Sequence, residues 1–207
     1  MFKRSILLMV MLAMTSYLAV ATPVPPGTPQ FPGLPASPFV LPPGAVAADT
    51  GVQAFNNGFI SGTFRSQAYL TASGTYDFLY QVSSTGPDSI ERVTAASFGG
   101  FLTDVGFNPS YNMPGFVGTV APTTVDRPNL SGDTVGWQIA VAPGSTSFVL
   151  EINTNATAFT GGVAALIDGQ AQNVTAFQPQ VPEPASMLLF GTGLLGIGGA
   201  VRRRWMK

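Results

Sequence analysis

The chain has 207 residues and contains neither cysteine nor histidine. Without cysteine there can be no disulfides, zinc–thiolate sites or thiol nucleophiles. Without histidine, the usual general base and the most common metal ligand are also missing. Lysine occurs only at Lys3 and Lys207, so the long stretch between them has no lysine base. We therefore expect no catalytic residue, no metal site and no cofactor, and we predict that the protein is not an enzyme.

Positive charge is scarce in the middle of the chain. Between Asp49 and Gln178, three arginines stand against nine acidic residues. Such a segment is a poor ligand for phosphate backbones, so we expect no binding of nucleic acid. The acids leave two alternatives open. Two of them could form a hydrolase pair, and Asp88, Glu91 and Asp133 could offer oxygens to Ca²⁺. No Asp-x-Asp-x-Asp loop is present, and solvated loop acids are the simpler interpretation.

The N-terminus has the pattern of a signal peptide. Lys3 and Arg4 precede the apolar run 6–20, and Ala19 and Ala21 provide small residues at the spacing that signal peptidase reads. We predict a signal peptide over residues 1–21, removed by cleavage after Ala21. An uncleaved membrane anchor is the alternative.

The C-terminus has a second membrane pattern. Residues 185–201 are apolar and uncharged, and as a helix they would extend roughly 25 Å, near the minimum for a bilayer core. A basic cluster that we interpret as a cytoplasmic stop follows at Arg202, Arg203 and Arg204. We predict a single transmembrane helix over 185–201, with most of the chain across the membrane from these arginines. A buried core helix is the alternative, which the basic cluster disfavours.

A stiff polar motif directly precedes the C-terminal apolar run. It consists of Val181, Pro182, Glu183, Pro184, Ala185 and Ser186. The two prolines fix their own φ angles and hold the residues before them extended, which is the shape that a protease or transpeptidase site grips. A simple proline break before a helix is the alternative for Pro-Glu-Pro alone.

Together, the motif, apolar run and arginines resemble the PEP-CTERM sorting signal of Gram-negative bacteria. The resemblance implies recognition of residues 181–186 by exosortase, an integral membrane transpeptidase-like enzyme, with processing near residues 182–184. It implies location in the inner membrane first, and then at the cell surface or in the extracellular matrix. Proteins of this family accompany exopolysaccharide and biofilm loci. Residues 51–177 also resemble the β-rich ectodomain of many such proteins, whose activity the family does not define.

The rest of the chain divides into a proline-rich segment and a β-rich one. Residues 22–48 hold nine of the 18 prolines, which predicts an arm or linker. The apolar residues Phe31, Leu34, Phe39, Val40 and Leu41 could dock on the domain surface and order part of it. Residues 49–178 contain short alternating runs separated by Gly, Pro and Asn turns. We predict an all-β fold, a single antiparallel β-sandwich or jelly roll, followed by the sorting signal over 179–207.

Aromatic residues are the remaining candidates for ligand contact. Trp137 alternates with Ile139 and Val141, so we expect it in the core. Tyr111 and Phe116 lie in a turn-rich stretch and are candidate glycan contacts. The leading hypothesis is an exported, non-catalytic surface or matrix protein, and the alternative is a carbohydrate-binding module that attaches to exopolysaccharide.

Overall fold

A computed structural model describes residues 22–181, and it is an all-β structure over that range. Fourteen strands form two sheets, which confirms the expected fold class. The strands are β1 (Thr22–Pro23), β2 (Leu34–Pro35), β3 (Ser37–Pro38), β4 (Gly44–Asp49), β5 (Gln53–Asn56), β6 (Ile60–Thr71), β7 (Tyr76–Pro87), β8 (Ile90–Ala95), β9 (Thr103–Asn108), β10 (Thr124–Asp126), β11 (Val135–Val141), β12 (Val149–Thr154), β13 (Phe159–Asp168) and β14 (Gln170–Pro179).

The two sheets have eight and six strands. The eight-stranded sheet has the order β1-β9-β12-β7-β6-β4, with β3 also on β9 and β5 also on β6. The six-stranded sheet has the order β14-β13-β8-β11-β10-β2. All strand pairs are antiparallel except β3 with β9. The consecutive strands β6–β7, β10–β11 and β13–β14 each pair within one sheet. At each of the remaining steps from β7 to β13 the chain crosses to the other sheet.

An apolar core fills the space between the sheets. The alternation seen in the sequence decides which side chains enter it: Phe78, Tyr80 and Val82 of β7 are fully buried there. Trp137 is also fully buried, as expected, with its ring centroid 5.8 Å from that of Tyr80. This contact joins the central strands of the two sheets.

The proline-rich segment is part of the folded domain. Its strands β1, β2, β3 and β4 pair with both sheets, and Val24 and Phe39 are buried. This differs from the arm or linker expected from the proline content, and the sheets begin at Thr22 rather than at residue 49. The physical reason is position: β1 and β2, which contain Pro23 and Pro35, are outermost strands, where a missing proline N–H breaks no central ladder.

The outer face of the eight-stranded sheet is covered as well. A small apolar cluster there contains Tyr69, Leu79, Met113, Phe116 and Val149, with Leu41 packed against it. Residues 37–42 and the loop 109–118 supply the covering groups, and we call these two segments the outer cover. The Tyr69 hydroxyl donates to the Pro42 carbonyl at 2.9 Å, which holds the two parts of the chain together.

Within residues 22–181, no helix is long and apolar enough to cross a membrane. The predicted signal peptide and the predicted span 185–201 lie outside the described residues.

Candidate functional site

The junction between the domain and the sorting motif is formed by the end of β14. β14 pairs with β13 up to the Phe159–Pro179 register, and the Gln180 backbone N–H then donates to the Ala158 carbonyl at 3.0 Å. Val181 follows with 54% of its surface exposed. Of the predicted motif only Val181 is described; residues 182–186, the arginines 202–204 and the cleavage residues Ala19 and Ala21 lie outside the described range. The folded domain thus continues to the first motif residue.

A groove of about 460 Å³ adjoins this junction. It is lined by Gly99, Gly100, Phe101, Asn155, Thr157, Ala158, Gln180 and Val181. The loop 98–102 forms one wall, and the Leu102 backbone N–H donates to the Asn155 side-chain oxygen at 2.9 Å. That bond ties the loop to the β12–β13 connection on the other side of the groove.

A second groove of about 620 Å³ lies on the other side of the loop 98–102. Residues 23–26 line it together with Phe101, Leu102 and Arg127. The N-terminal strand therefore reaches the same end of the sandwich as the C-terminal junction. We call this end, formed by residues 22–27, 98–103, 128–133, 155–158 and 180–181, the exit end.

Arg127 organises the exit end. Its side chain is buried, and all five guanidinium N–H donors have acceptors. These are the carbonyls of Gly132 (2.7 Å), Val24 (3.3 Å), Phe98 (2.6 Å) and Phe101 (3.1 Å) and the Thr103 hydroxyl (2.9 Å). Burial lowers the pKa of the guanidinium, and the charge of Asp133 opposes that shift. One side chain thus fixes both exit-end loops and the N-terminal segment.

The other two arginines of the described range are also engaged. Arg92 forms a buried bidentate pair with Asp126, at 2.6 and 2.7 Å. Arg65 binds the Asp49 carboxylate at 2.8 and 2.7 Å in a more exposed position. Each guanidinium between residues 22 and 181 is therefore committed to internal contacts.

The acidic residues separate into buried and exposed groups. Asp88, Glu91 and Asp133 are exposed, and among residues 22–181 no cluster of three acids is arranged to hold a metal ion. Asp77 and Glu151 are instead almost completely buried on the outer face of the eight-stranded sheet. One signal for them is present in the sequence, which is that each lies between two apolar residues of a predicted strand.

Burial changes the protonation of this pair. It raises the pKa of Asp77 to about 7, opposed by the Thr154 backbone N–H at 3.3 Å and supported by the charge of Asp104. It raises the pKa of Glu151 to about 8, opposed by a hydrogen bond from Asn108 at 3.3 Å and supported by the charge of Asp77. Glu151 Oε1 has no hydrogen-bond partner. A carboxyl in such surroundings favours its neutral form.

The glycan contacts proposed from sequence do not form an exposed aromatic surface. Phe116 is buried with only 6% of its surface exposed, and its contact with a glycan stays a prediction. Tyr111 is half-buried, and its hydroxyl donates to Gln67 Oε1 at 2.8 Å. The reason is the second apolar face of the sheet, which Leu79 and Val149 create and which draws the loop's apolar side chains inward. Trp137, expected in the core, is in the core.

The comparisons with known proteins identify the C-terminal segment. Residues 180–204 match the model of the PEP-CTERM protein-sorting motif. No curated protein and no solved structure matches the chain significantly. The chain therefore carries a PEP-CTERM sorting signal, as its resemblance to that family predicted. Such a signal implies recognition by an exosortase-type membrane enzyme, export, and processing at the membrane toward the cell surface. The match does not extend to residues 51–177, so their likeness to other ectodomains stays a prediction.

Proposed function

We propose that this protein is a non-catalytic component of the cell surface or extracellular matrix, exported through its N-terminal signal peptide and sorted by exosortase. In this proposal the span 185–201 holds the precursor in the inner membrane of a Gram-negative bacterium until processing near residues 182–184 releases the domain. The mature protein then acts in an exopolysaccharide matrix or biofilm. The observation that carries the proposal is the sorting motif at 180–204, which follows the last strand without a spacer.

The chemistry of the domain supports a non-catalytic role. The chain has no histidine or cysteine. Among residues 22–181, the deeply buried acids with raised pKa values are Asp77 and Glu151, and neither lines a groove of the exit end. The grooves at the exit end are lined mainly by backbone, glycine and apolar side chains. A general acid and a nucleophile must both reach substrate to act, and this arrangement offers no such pair.

The test compares sorting of the wild-type protein with that of the variant Pro182→Ala/Pro184→Ala in the native host. We expect the variant to accumulate in the membrane fraction with its C-terminus retained, because the extended motif is what the enzyme grips. A matched control is Pro29→Ala/Pro109→Ala, which changes two exposed prolines elsewhere and should be sorted normally. Normal sorting of the motif variant would contradict the proposal.

A carbohydrate-binding module is the alternative function. Phe116 is buried and the half-buried Tyr111 is hydrogen-bonded within the domain, so the two residues offer little open aromatic surface to a sugar. Pull-down of the exported protein with the host's purified matrix polysaccharide distinguishes the two. Retention on the polysaccharide, and not on an unrelated neutral glucan, would favour the alternative.

A further inference from the structure

Both ends of the described chain meet at the exit end of the sandwich. Thr22 of β1 pairs with Val105 of β9, and the start of β9 is in register with the end of β12 at Thr103 and Thr154. The C-terminal junction lies beside the same connection, through the bond from Gln180 to Ala158. The segment that the sequence predicts to cross a membrane at the C-terminus is therefore attached at the exit end, which β1 approaches in the direction from Thr22 to Val24.

The chain between this face and the predicted span is very short. Val181 belongs to the groove wall, and the apolar run begins at Ala185. An extended chain covers at most about 3.6 Å per residue, so the two points are within roughly 14 Å. The polar layer of a bilayer is itself about 5–8 Å thick on each side. The exit end cannot move far from the lipid surface while the span is in place.

The exit end also carries exposed leucines. Leu102 is 74% exposed and Leu130 is 90% exposed. Leu102 lines the second groove next to Pro25 and Pro26, and the loop of Leu130 packs on the same segment through the hydrogen bond from the Gly27 N–H to the Asn129 carbonyl at 3.1 Å. Both leucines are held in place by the loops that Arg127 anchors.

From this geometry we infer that the exit end is a lipid-contacting surface, on which Leu102 and Leu130 rest in the headgroup region of the bilayer while the precursor is membrane-bound. The inference rests on the proposed membrane-anchored stage. The accessible charges are Asp133 on this end and Asp104 in the groove beside it, because the Arg127 guanidinium is buried. Acidic groups are repelled by anionic lipid, so the fitting partner is a zwitterionic lipid surface. Exposed apolar side chains gain free energy when they leave water.

The test uses single-cysteine labelling, which the cysteine-free chain permits without background. The full chain is reconstituted in phosphatidylcholine vesicles with a fluorophore on Thr157→Cys, an exposed position that lines the exit groove. Quenching by nitroxide-labelled lipid is compared with quenching by a water-soluble reagent. The matched control is Gln170→Cys, an exposed position in the β13–β14 turn, roughly 30 Å away along the strand. A label on Thr192→Cys reports whether the predicted span is in lipid.

We expect lipid quenching at positions 157 and 192 but not at 170. In the Thr157→Cys background, Leu102→Ser/Leu130→Ser should reduce lipid quenching severalfold without unfolding the domain, because both side chains are exposed. If position 192 is quenched by lipid while 157 responds only to the water-soluble reagent, this inference fails and the proposed function stands. If 192 is not in lipid, both fail. If the label at position 157 is protected from the water-soluble reagent only when the exosortase-type enzyme is present, the exit end contacts that enzyme. That result would overturn the lipid contact.

Discussion

The eight-stranded sheet buries both of its faces, but the two faces are covered by different structures. Its inner face packs Phe78, Tyr80 and Val82 against the six-stranded sheet in an apolar core. Its outer face buries Asp77 and Glu151, and irregular proline-rich and loop segments cover the apolar cluster on that face. The inner face is held by hydrophobic burial, whereas the outer face also depends on individual hydrogen bonds and on protonation. One sheet therefore combines a core that tolerates changes in pH with a cover that responds to them.

Arg127 connects the two sheets at the exit end, and its loss should have the largest effect. From the end of β10 it reaches Thr103 of β9 and the Val24 carbonyl of the proline-rich segment. Arg127→Met leaves the Gly132 and Phe101 carbonyls without a donor and removes one of the two donors to the Val24 and Phe98 carbonyls. We expect the free energy of unfolding to fall by about 4 kcal/mol. Urea unfolding measures it. The control Arg65→Met removes a partly exposed pair and should cost about 1 kcal/mol or less. Equal losses would contradict the role of Arg127.

The pH dependence of stability should distinguish the outer face from the inner one. Asp77 and Glu151 bind protons more tightly in the folded protein than in the unfolded chain, with pKa values of about 7 and 8. Their contribution to the free energy of unfolding is fully present below about pH 4 and is lost as pH rises to about 8. Each unit of difference between the folded and unfolded pKa is equivalent to about 1.4 kcal/mol. We expect a decrease of several kcal/mol over that range.

Glu151→Gln tests this pH dependence directly. The variant keeps an acceptor for Asn108 but cannot ionise, so its unfolding free energy should vary less with pH than that of the wild type. The control Glu91→Gln changes an exposed acid and should leave the curve unchanged. An unchanged slope in Glu151→Gln would show that Glu151 is ionised in the folded protein.

Phe39 tests whether the proline-rich segment is folded onto the domain. It is 3% exposed and lies over Gly106, where a Cβ would come within 3.0 Å of its ring. Phe39→Ala should cost about 3 kcal/mol, toward the lower end for a buried phenylalanine. The matched control is Phe31→Ala in the same segment, where the ring is 74% exposed and the expected change is within about 0.5 kcal/mol. If both variants lose the same small amount of unfolding free energy, the segment is a linker and is not packed on the domain.

Tyr111 should give the smallest effect. Tyr111→Ala removes its bond to Gln67 and part of the cover over Leu79, which should cost about 1–2 kcal/mol. The chemical-shift changes in an NMR spectrum should be confined to the outer face. A change in matrix polysaccharide binding with stability unaltered would instead revive the glycan role.

The sequence predicted the inner face better than the outer one for a physical reason. Alternation in β7 and β11 placed Phe78, Tyr80 and Trp137 correctly, because a strand has only two faces and the apolar one turns inward. It could not predict that the other face is covered, because Asp77 and Gln81 read as solvent-facing residues. Both are buried by segments distant in the chain: Gln81 binds Asn112 and the Met113 N–H. Proline content suggested a linker because composition does not reveal which strands lie at a sheet edge.

The candidate site also has one part that the sequence predicted and one part that it did not. The sorting motif was identified from sequence because its proline, apolar and basic parts are consecutive. The exit end was not, since it assembles residues 22–27, 98–103 and 180–181 around Arg127, and only the fold brings these together. A lone arginine in an acidic segment gave no signal of that role.

The most direct test of the account is the intact mass of the protein recovered from the cell surface or medium. A protein processed at both ends should have a mass that lacks residues 1–21 and the arginine-rich tail 202–207, with the C-terminus near residues 182–184, just beyond the last strand. A surface-located protein that retains Arg202, Arg203 and Arg204 would contradict processing at the motif.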